Sequence, residues 1–220
     1  MDWAATRVTL ALATGTTAIL LVVGLPLAYW LAISRWRGKV LVEALVTLPL
    51  VLPPTVVGFY LLLGTGPHSP VGRALESVGG RALPFTFPGI LFGSVLVNAP
   101  FAIRPFAAAF AGIDRRYAEA AWCLGVSRAR TFLRVTLPLA WPGIVAGAVL
   151  TFAHTVGEFG VVLMIGGNVP GVTRTLSVAI YDDVQASDYA AASTTAAGLV
   201  VFAFVAVVLT RVLERRGARP

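Results

Sequence analysis

The sequence predicts an all-α, polytopic membrane protein with about five transmembrane helices and a polar helical loop outside the bilayer. Three observations predict it. Apolar runs near the roughly 20 residues that span a bilayer recur along the 220 residues. Charged residues make up only 12%, about half the share of a soluble domain. Mean hydropathy is +0.84. The net charge of +7 does not point to nucleic acid. The basic residues sit in short loops and at the C-terminus, as topology signals do, and no nucleic-acid motif accompanies them.

The first spanning segment covers about Val8 to Ile33, with Pro26 as an expected kink. It is too long for a signal-peptide core and lacks a preceding Lys/Arg cluster, so it is expected to remain as a membrane helix. The second covers about Leu41 to Leu63 and contains Pro49, Pro53 and Pro54. The third covers about Phe87 to Phe110 and contains Asn98, Pro100, Arg104 and Pro105. The fourth covers about Leu139 to Ile165 and contains His154 and Glu158. The fifth covers about Tyr189 to Val212.

Charge orients these segments. Of the 17 Lys and Arg residues, 13 fall on one side: Arg35, Arg37 and Lys39, then the group from Arg104 to Arg134, then Arg211 to Arg219. Arg7, Arg73, Arg81 and Arg174 fall on the other. The positive-inside rule then puts the N-terminus outside and the C-terminus in the cytoplasm. The outer loop Gly64–Thr86 is rich in Gly and Pro, with a short helix expected around Val71–Val78. The outer loop Gly166–Asp188 carries Asp182, Asp183 and Asp188.

Between the third and fourth segments lies a polar stretch at about 113–138. Asp114 is placed to cap a short helix through Leu124. Gly125 permits a sharp break. Ser127 is placed to cap a second short helix, which Pro138 ends or redirects. Two short helices at an angle make a compact knob that another protein could grip. Cys123, the single cysteine, allows no intrachain disulfide, and a small buried contact is its expected role.

This stretch resembles the EAA loop of permease subunits of ABC importers. Glu119-Ala120-Ala121, Gly125 and Leu137-Pro138 fall in the family's register, with Val135 where the pattern has Ile. Leu48-Pro-Leu-Val-Leu-Pro-Pro-Thr-Val-Val-Gly58 and Gly157-Glu-Phe-Gly160 resemble motifs of molybdate permeases. So does the outer loop Asn168-Val-Pro-Gly-Val-Thr-Arg-Thr175. The motifs fit in order along nearly the whole chain. The chain therefore looks like one transmembrane permease domain, residues 1–220, of a molybdate or tungstate importer. Sulfate and thiosulfate permeases share parts of these motifs and are usually longer.

The resemblance implies a homodimer in a bacterial inner membrane and two cytoplasmic ABC ATPase subunits gripping the two knobs. It also implies an extracytoplasmic oxyanion-binding protein outside. ATP and Mg would be bound by the ATPase. This chain has no Walker phosphate loop, no metal site and no catalytic residue of its own.

Glu119, Ala120, Ala121, Gly125, Leu137 and Pro138 are thus candidates for ATPase coupling. Glu119 reads as a contact to the ATPase or as a bond holding the knob's bend; a solvated helix face is the plain alternative. Thr47, Pro49, Pro53, Pro54, Thr55, Asn98 and Glu158 are candidates for the translocation pathway or its gate. Prolines free backbone groups that a water-filled pathway can satisfy, and ordinary helix kinks would look the same. Asn98 serves equally as glue between helices. Glu158 is an ionisable group at membrane depth. It cannot coordinate a dianion without repulsion, so a bond to backbone freed near Gly157 and Gly160 is expected, with His154 one turn earlier facing it. Thr173, Arg174 and Thr175 are candidates for contact with the binding protein, against a plain solvated loop. A secondary transporter or channel independent of ATP remains the rival class. It would more often show an internal repeat and several buried ionisable residues, and no repeat is visible.

Overall fold

A computed structural model describes residues 2–77 and 80–217. They form ten helices in chain order and no strand. The first, α1 (Trp3–Ile33), is followed by α2 (Lys39–Val51) and α3 (Pro54–Thr65). The short α4 (Pro70–Ser77) precedes the long α5 (Phe87–Ala111). Next come α6 (Arg115–Cys123), α7 (Arg128–Val156) and α8 (Gly160–Gly166). Helices α9 (Leu176–Gln185) and α10 (Tyr189–Gly217) complete the chain. The helix expected at Val71–Val78 is α4; Val78, like Arg219, lies outside the described residues. The outer loop Gly166–Asp188 holds a helix of its own, α9.

Four of these helices, α1, α5, α7 and α10, are long and apolar enough to cross a membrane. The second expected span is not one helix. It breaks between α2 and α3, which are bent by 110°. Leu52 and Pro53 are extended, with ψ of 139° and 132°. The cause is local: a residue before proline is pushed out of the helical region, and two consecutive prolines supply no N–H to the ladder.

The pair still carries the chain from one end of the bundle to the other. Val42 and Val46 of α2 pack with Leu31, Ile103 and Phe106 at the end where α1 and α5 finish. Val57 and Leu61 of α3 pack with Ile90, Val161 and Ile165 at the opposite end. The pair is therefore one broken span.

The fourth expected span is also broken. Helix α7 ends at Val156 and α8 restarts at Gly160. At its other end α7 begins at Arg128, so Pro138 does not terminate the second knob helix. Instead a π-turn, Phe132–Thr136, precedes Pro138. The same device, Leu20–Gly24, precedes Pro26 in α1. In both cases the carbonyl four residues before the proline, which the ring would strike, falls inside the widened turn. These prolines are absorbed without ending the helix.

Two apolar clusters hold the bundle. One gathers Leu20, Leu31, Ile103, Phe106, Phe110 and Ile144, with Tyr29 against Phe110 and Phe132 at ring separations of 5.3 and 4.7 Å. The other gathers Leu12, Ile90, Val97, Val161, Val162 and Ile165. Helix α10 leans on α7 and α9 and leaves Val200, Val201, Phe204 and Val205 exposed. A membrane helix can present such a face to lipid, which is as apolar as the side chains themselves.

Candidate functional site

The polar loop folds as the knob its residues predict. Asp114 accepts from the backbone N–H of Arg116 at 2.9 Å and caps α6. Ser127 accepts from Arg130 and caps α7. Between them Gly125 has φ +75°. The N–H of Val126 donates to Ala121 and that of Gly125 to Trp122, at 3.0 and 2.9 Å. This pairing satisfies the last carbonyls of α6 and requires a left-handed residue at Gly125. The Arg128 guanidinium lies 5.7 Å from the Trp122 ring and ties the two helices together.

No residue of α6 is buried. Glu119 and Ala120 are exposed and Ala121 is half-buried. Among the described residues Glu119 has no ion pair, and the bend is made by backbone bonds, the Ser127 cap and the Arg128–Trp122 contact without it. Cys123 is exposed, not the buried contact expected of it. Leu137 packs on the cluster around Phe106 and Phe110, while Pro138 is exposed beside it. The knob is a free surface on an anchored base.

The pathway candidates separate into groups. Gly58 and Gly160 come from two motifs about a hundred residues apart, and each lets its half-helix approach the other's: Gly58 faces Val161 and Met164, and Gly160 faces Pro54 and Thr55. A methyl added at Gly160 would lie 2.8 Å from Pro54 Cβ. One at Gly58 would lie 2.6 Å from Met164 Cβ. The half-helices α3 and α8 thus cross at backbone distance, with Pro53, Pro54 and Thr55 exposed beside the crossing.

Asn98 is fully buried on α5. Its amide donates to the Ser94 carbonyl at 2.9 Å, which aims its oxygen at α7. His154 donates to that oxygen from Nδ1, also at 2.9 Å. The imidazole stacks on Phe101 at 3.8 Å between centroids. Glu158 is buried in the break between α7 and α8. It accepts from the Val161 N–H at 3.4 Å, meeting a donor at the start of α8. Its other oxygen is 3.9 Å from His154 Nδ1. Asn98, His154 and Glu158 form one polar chain joining α5, α7 and α8.

Thr47 belongs elsewhere. The bend at Leu52 and Pro53 parts it from Thr55, and it lines a cavity with Lys39, Glu43 and Arg104 at the end where α1 and α5 finish. Pro49 sits within α2 without ending it. The stretch Thr47–Thr55 is thus divided by the 110° bend.

The outer loop turns its motif inward. Thr173 and Thr175 are fully buried, so in this fold neither presents a surface. The Thr173 hydroxyl donates to the Gly166 carbonyl at 2.7 Å and accepts from the Val169 N–H at 3.1 Å. Arg174 pairs with Asp182 at 3.2 Å and with Asp2 at 3.7 Å. Thr9, buried on α1, accepts from the Leu176 N–H at 2.9 Å. Asp2, Thr9 and Asp182 escaped sequence reasoning. Acidic charge on the outer side hinted at Asp182; nothing marked Thr9.

Exposed apolar spans, two broken half-helices packed together and an exposed helical knob define a membrane transport permease. Residues 24–219 match the family described as the binding-protein-dependent transport system inner membrane component, and the chain belongs to that family. It is 52% identical to the molybdenum transport system permease protein ModB of Azotobacter vinelandii, over 93% of this chain and 90% of that one. The corresponding Escherichia coli K12 protein is 35% identical over 84% of this chain and 80% of its own. A probable sulfate transport system permease protein of Prototheca wickerhamii is 38% identical over 80% of this chain and 68% of its own. Among solved structures, the inward-facing MetNI methionine ABC transporter matches with a TM-score of 0.74 at 22% identity, covering 98% of this chain and 95% of that one. A bacterial alginate ABC transporter matches at 0.67 and 22%, covering 97% and 78%. These two share the fold.

Proposed function

We propose that this chain is the membrane-spanning subunit of an ABC importer that moves molybdate into the cytoplasm. The observation that carries the substrate is the likeness, over nearly the whole chain, to a molybdenum permease. A second copy of the chain would complete the pathway, because one set of this size can hardly enclose one; a two-fold pair also matches a two-fold ATPase pair. Two cytoplasmic ATPase subunits would bind ATP and Mg and grip the knobs through Glu119, Ala120 and Ala121, with Gly125, Leu137 and Pro138 holding its shape. An extracytoplasmic oxyanion-binding protein would deliver the substrate. The Lys/Arg bias supports an N-terminus outside and a knob in the cytoplasm. Sulfate is the second reading, favoured by the likeness to the Prototheca protein.

Proteoliposomes holding the chain with its ATPase and binding protein test this. ATP-driven uptake of radiolabelled molybdate, competed by tungstate more strongly than by sulfate, is expected. Uptake that ignores ATP, or that sulfate competes best, sinks the reading. Orientation is tested separately by single cysteines at His68 and Ser127, both exposed. An impermeant reagent should reach only His68 in intact cells.

A further inference from the structure

A cavity of about 460 Å³ lies between α1, α2 and α5. Its wall on α5 is built from Arg104, Ala107, Ala108 and Ala111, which fall at i, i+3, i+4 and i+7 on one helix face. Three alanines leave the space that the long guanidinium side chain shares. Facing them on α2 are Lys39, Glu43 and Thr47. The charge at Arg104 was counted above with the basic loop as a topology signal. As the third span already placed it, Arg104 lies within α5, seven residues before its end, which is about 10 Å along the axis.

Arg104 is an exposed side chain on a helix apolar and long enough to cross a membrane, and an arginine there is costly unless it meets a counter-charge or a water-filled space. Arg104 has no ion pair among the described residues. Lys39 is engaged: its ammonium lies 3.7 Å from Glu43 and donates to the Leu31 carbonyl at 3.3 Å. Glu43 therefore compensates Lys39 and leaves Arg104 uncompensated.

We propose that this cavity is a transient seat for the translocated tetrahedral oxyanion, with Arg104 and Lys39 as its cations and Glu43 as the group that expels it. The proposal rests on the transport reading above. Arg104 offers a planar fork of donors suited to two oxygens of the anion. Lys39 supplies a second charge once it leaves Glu43. The freed Glu43 carboxylate then repels the dianion and competes for Lys39. A pathway site has to bind well enough to be entered and weakly enough to be left, and a built-in competitor supplies that weakness. Thr47 now donates its hydroxyl to the Glu43 carbonyl at 2.7 Å, so it turns to the anion only by rotating.

The shared chemistry, a tetrahedral oxyanion, also describes a phospholipid headgroup, and the test separates the two. The complex with its ATPase is placed in nanodiscs of phosphatidylcholine alone, without binding protein, and radiolabelled molybdate binding is measured by equilibrium dialysis. Arg104→Gln should weaken binding at least about tenfold, and Arg104→Lys should fall between. Glu43→Gln should tighten it several-fold and slow uptake in proteoliposomes. Opposite signs at two neighbouring residues are not what a general packing defect produces. Glu43 is also exposed enough that its variant tests the proposal even if Arg104→Gln fails to assemble.

The seat is overturned if wild type binds no molybdate here, if Arg104→Gln binds like wild type, or if Glu43→Gln fails to tighten. It is also overturned if native mass spectrometry finds phosphatidylglycerol retained by wild type and lost in Arg104→Gln while molybdate binding stays unmoved. Each of these outcomes, with wild-type uptake intact, leaves the transport reading standing. Absence of ATP-driven molybdate uptake by the complete wild-type assembly sinks that reading instead.

Discussion

The knob at 115–138 and the outer loop at 166–176 both carry motifs that sequence reasoning treats alike, as surfaces for a partner. The structure treats them differently. The knob spends only its caps, its glycine and backbone bonds on its own shape, and leaves Glu119, Ala120 and the exposed Leu124 free. The outer loop spends the motif itself: Thr173 and Thr175 are buried and Arg174 is ion-paired at both hands. A motif in a loop is thus not evidence of a contact until its side chains are shown to point outward. In the knob the specified residues set a surface; in the outer loop they set a fold.

The largest expected effect is at the knob's hinge. A side chain at Gly125 would meet nothing within 4 Å, so crowding is not at issue. Only φ +75° restricts the position. Left-handed backbone costs an ordinary residue about 1–2 kcal/mol and a β-branched one more. Gly125→Val should give normal membrane levels, weak ATPase co-purification and little ATP-dependent uptake. Gly125→Asn, which tolerates the left-handed region, should keep most of both. If Val and Asn behave alike, the hinge is not what couples the knob. Next in size is Glu119→Arg, on an exposed and unpaired side chain. It should lower ATPase co-purification several-fold without moving the thermal stability of the solubilised permease. A stability loss would show that Glu119 belongs to the fold after all.

How much was legible follows the same division. The number of spans and the knob's caps could be read because they depend on local chemistry: apolar length, Asp114 and Ser127 as caps, Gly125 as the left-handed residue. The prolines could be read only in part. Pro53-Pro54 broke a span, whereas Pro26 and Pro138 were absorbed by π-turns, a choice that depends on whether the widened turn can pack. Gly58 and Gly160 were each visible as motif ends, yet the packing of the half-helices that carry them is a tertiary fact with no trace in either motif. The same is true of the pairing of Arg174 with Asp2, at the other end of the chain. Arg104 was readable as part of the third span, yet its charge was grouped with the basic loop after it, because sequence shows the position on a helix and not the cavity that the side chain lines.

The outer loop offers the third test. Thr173→Val keeps shape and removes a hydroxyl that both donates and accepts. It leaves the Gly166 carbonyl and the Val169 N–H without that partner, a loss of about 2 kcal/mol where the site is buried. The thermal midpoint in detergent should fall, while affinity for the binding protein, measured well below that midpoint, should stay near wild type. The reverse pattern, steady stability with lost affinity, would restore Thr173 as a contact.

The smallest effect is expected at Arg174. Its two ion pairs, to Asp182 and Asp2, are partly exposed, and such pairs are worth about 0–1 kcal/mol and are screened by salt. Asp2 also caps α1, accepting from the Ala5 N–H at 3.0 Å. That cap survives removal of the guanidinium. Arg174→Ala should therefore shift the thermal midpoint slightly at low salt and less at high salt. Asp182→Ala should show the same salt dependence with a further loss from the bond that Asn168 donates to it, and the double variant should lose less than the sum of the two, because the Arg174–Asp182 pair is common to both. If Arg174→Ala instead lowers binding-protein affinity strongly while Asp182→Ala does not, the arginine reaches outward in the assembled importer. The contrast between the two loops then narrows to the buried threonines on either side of it.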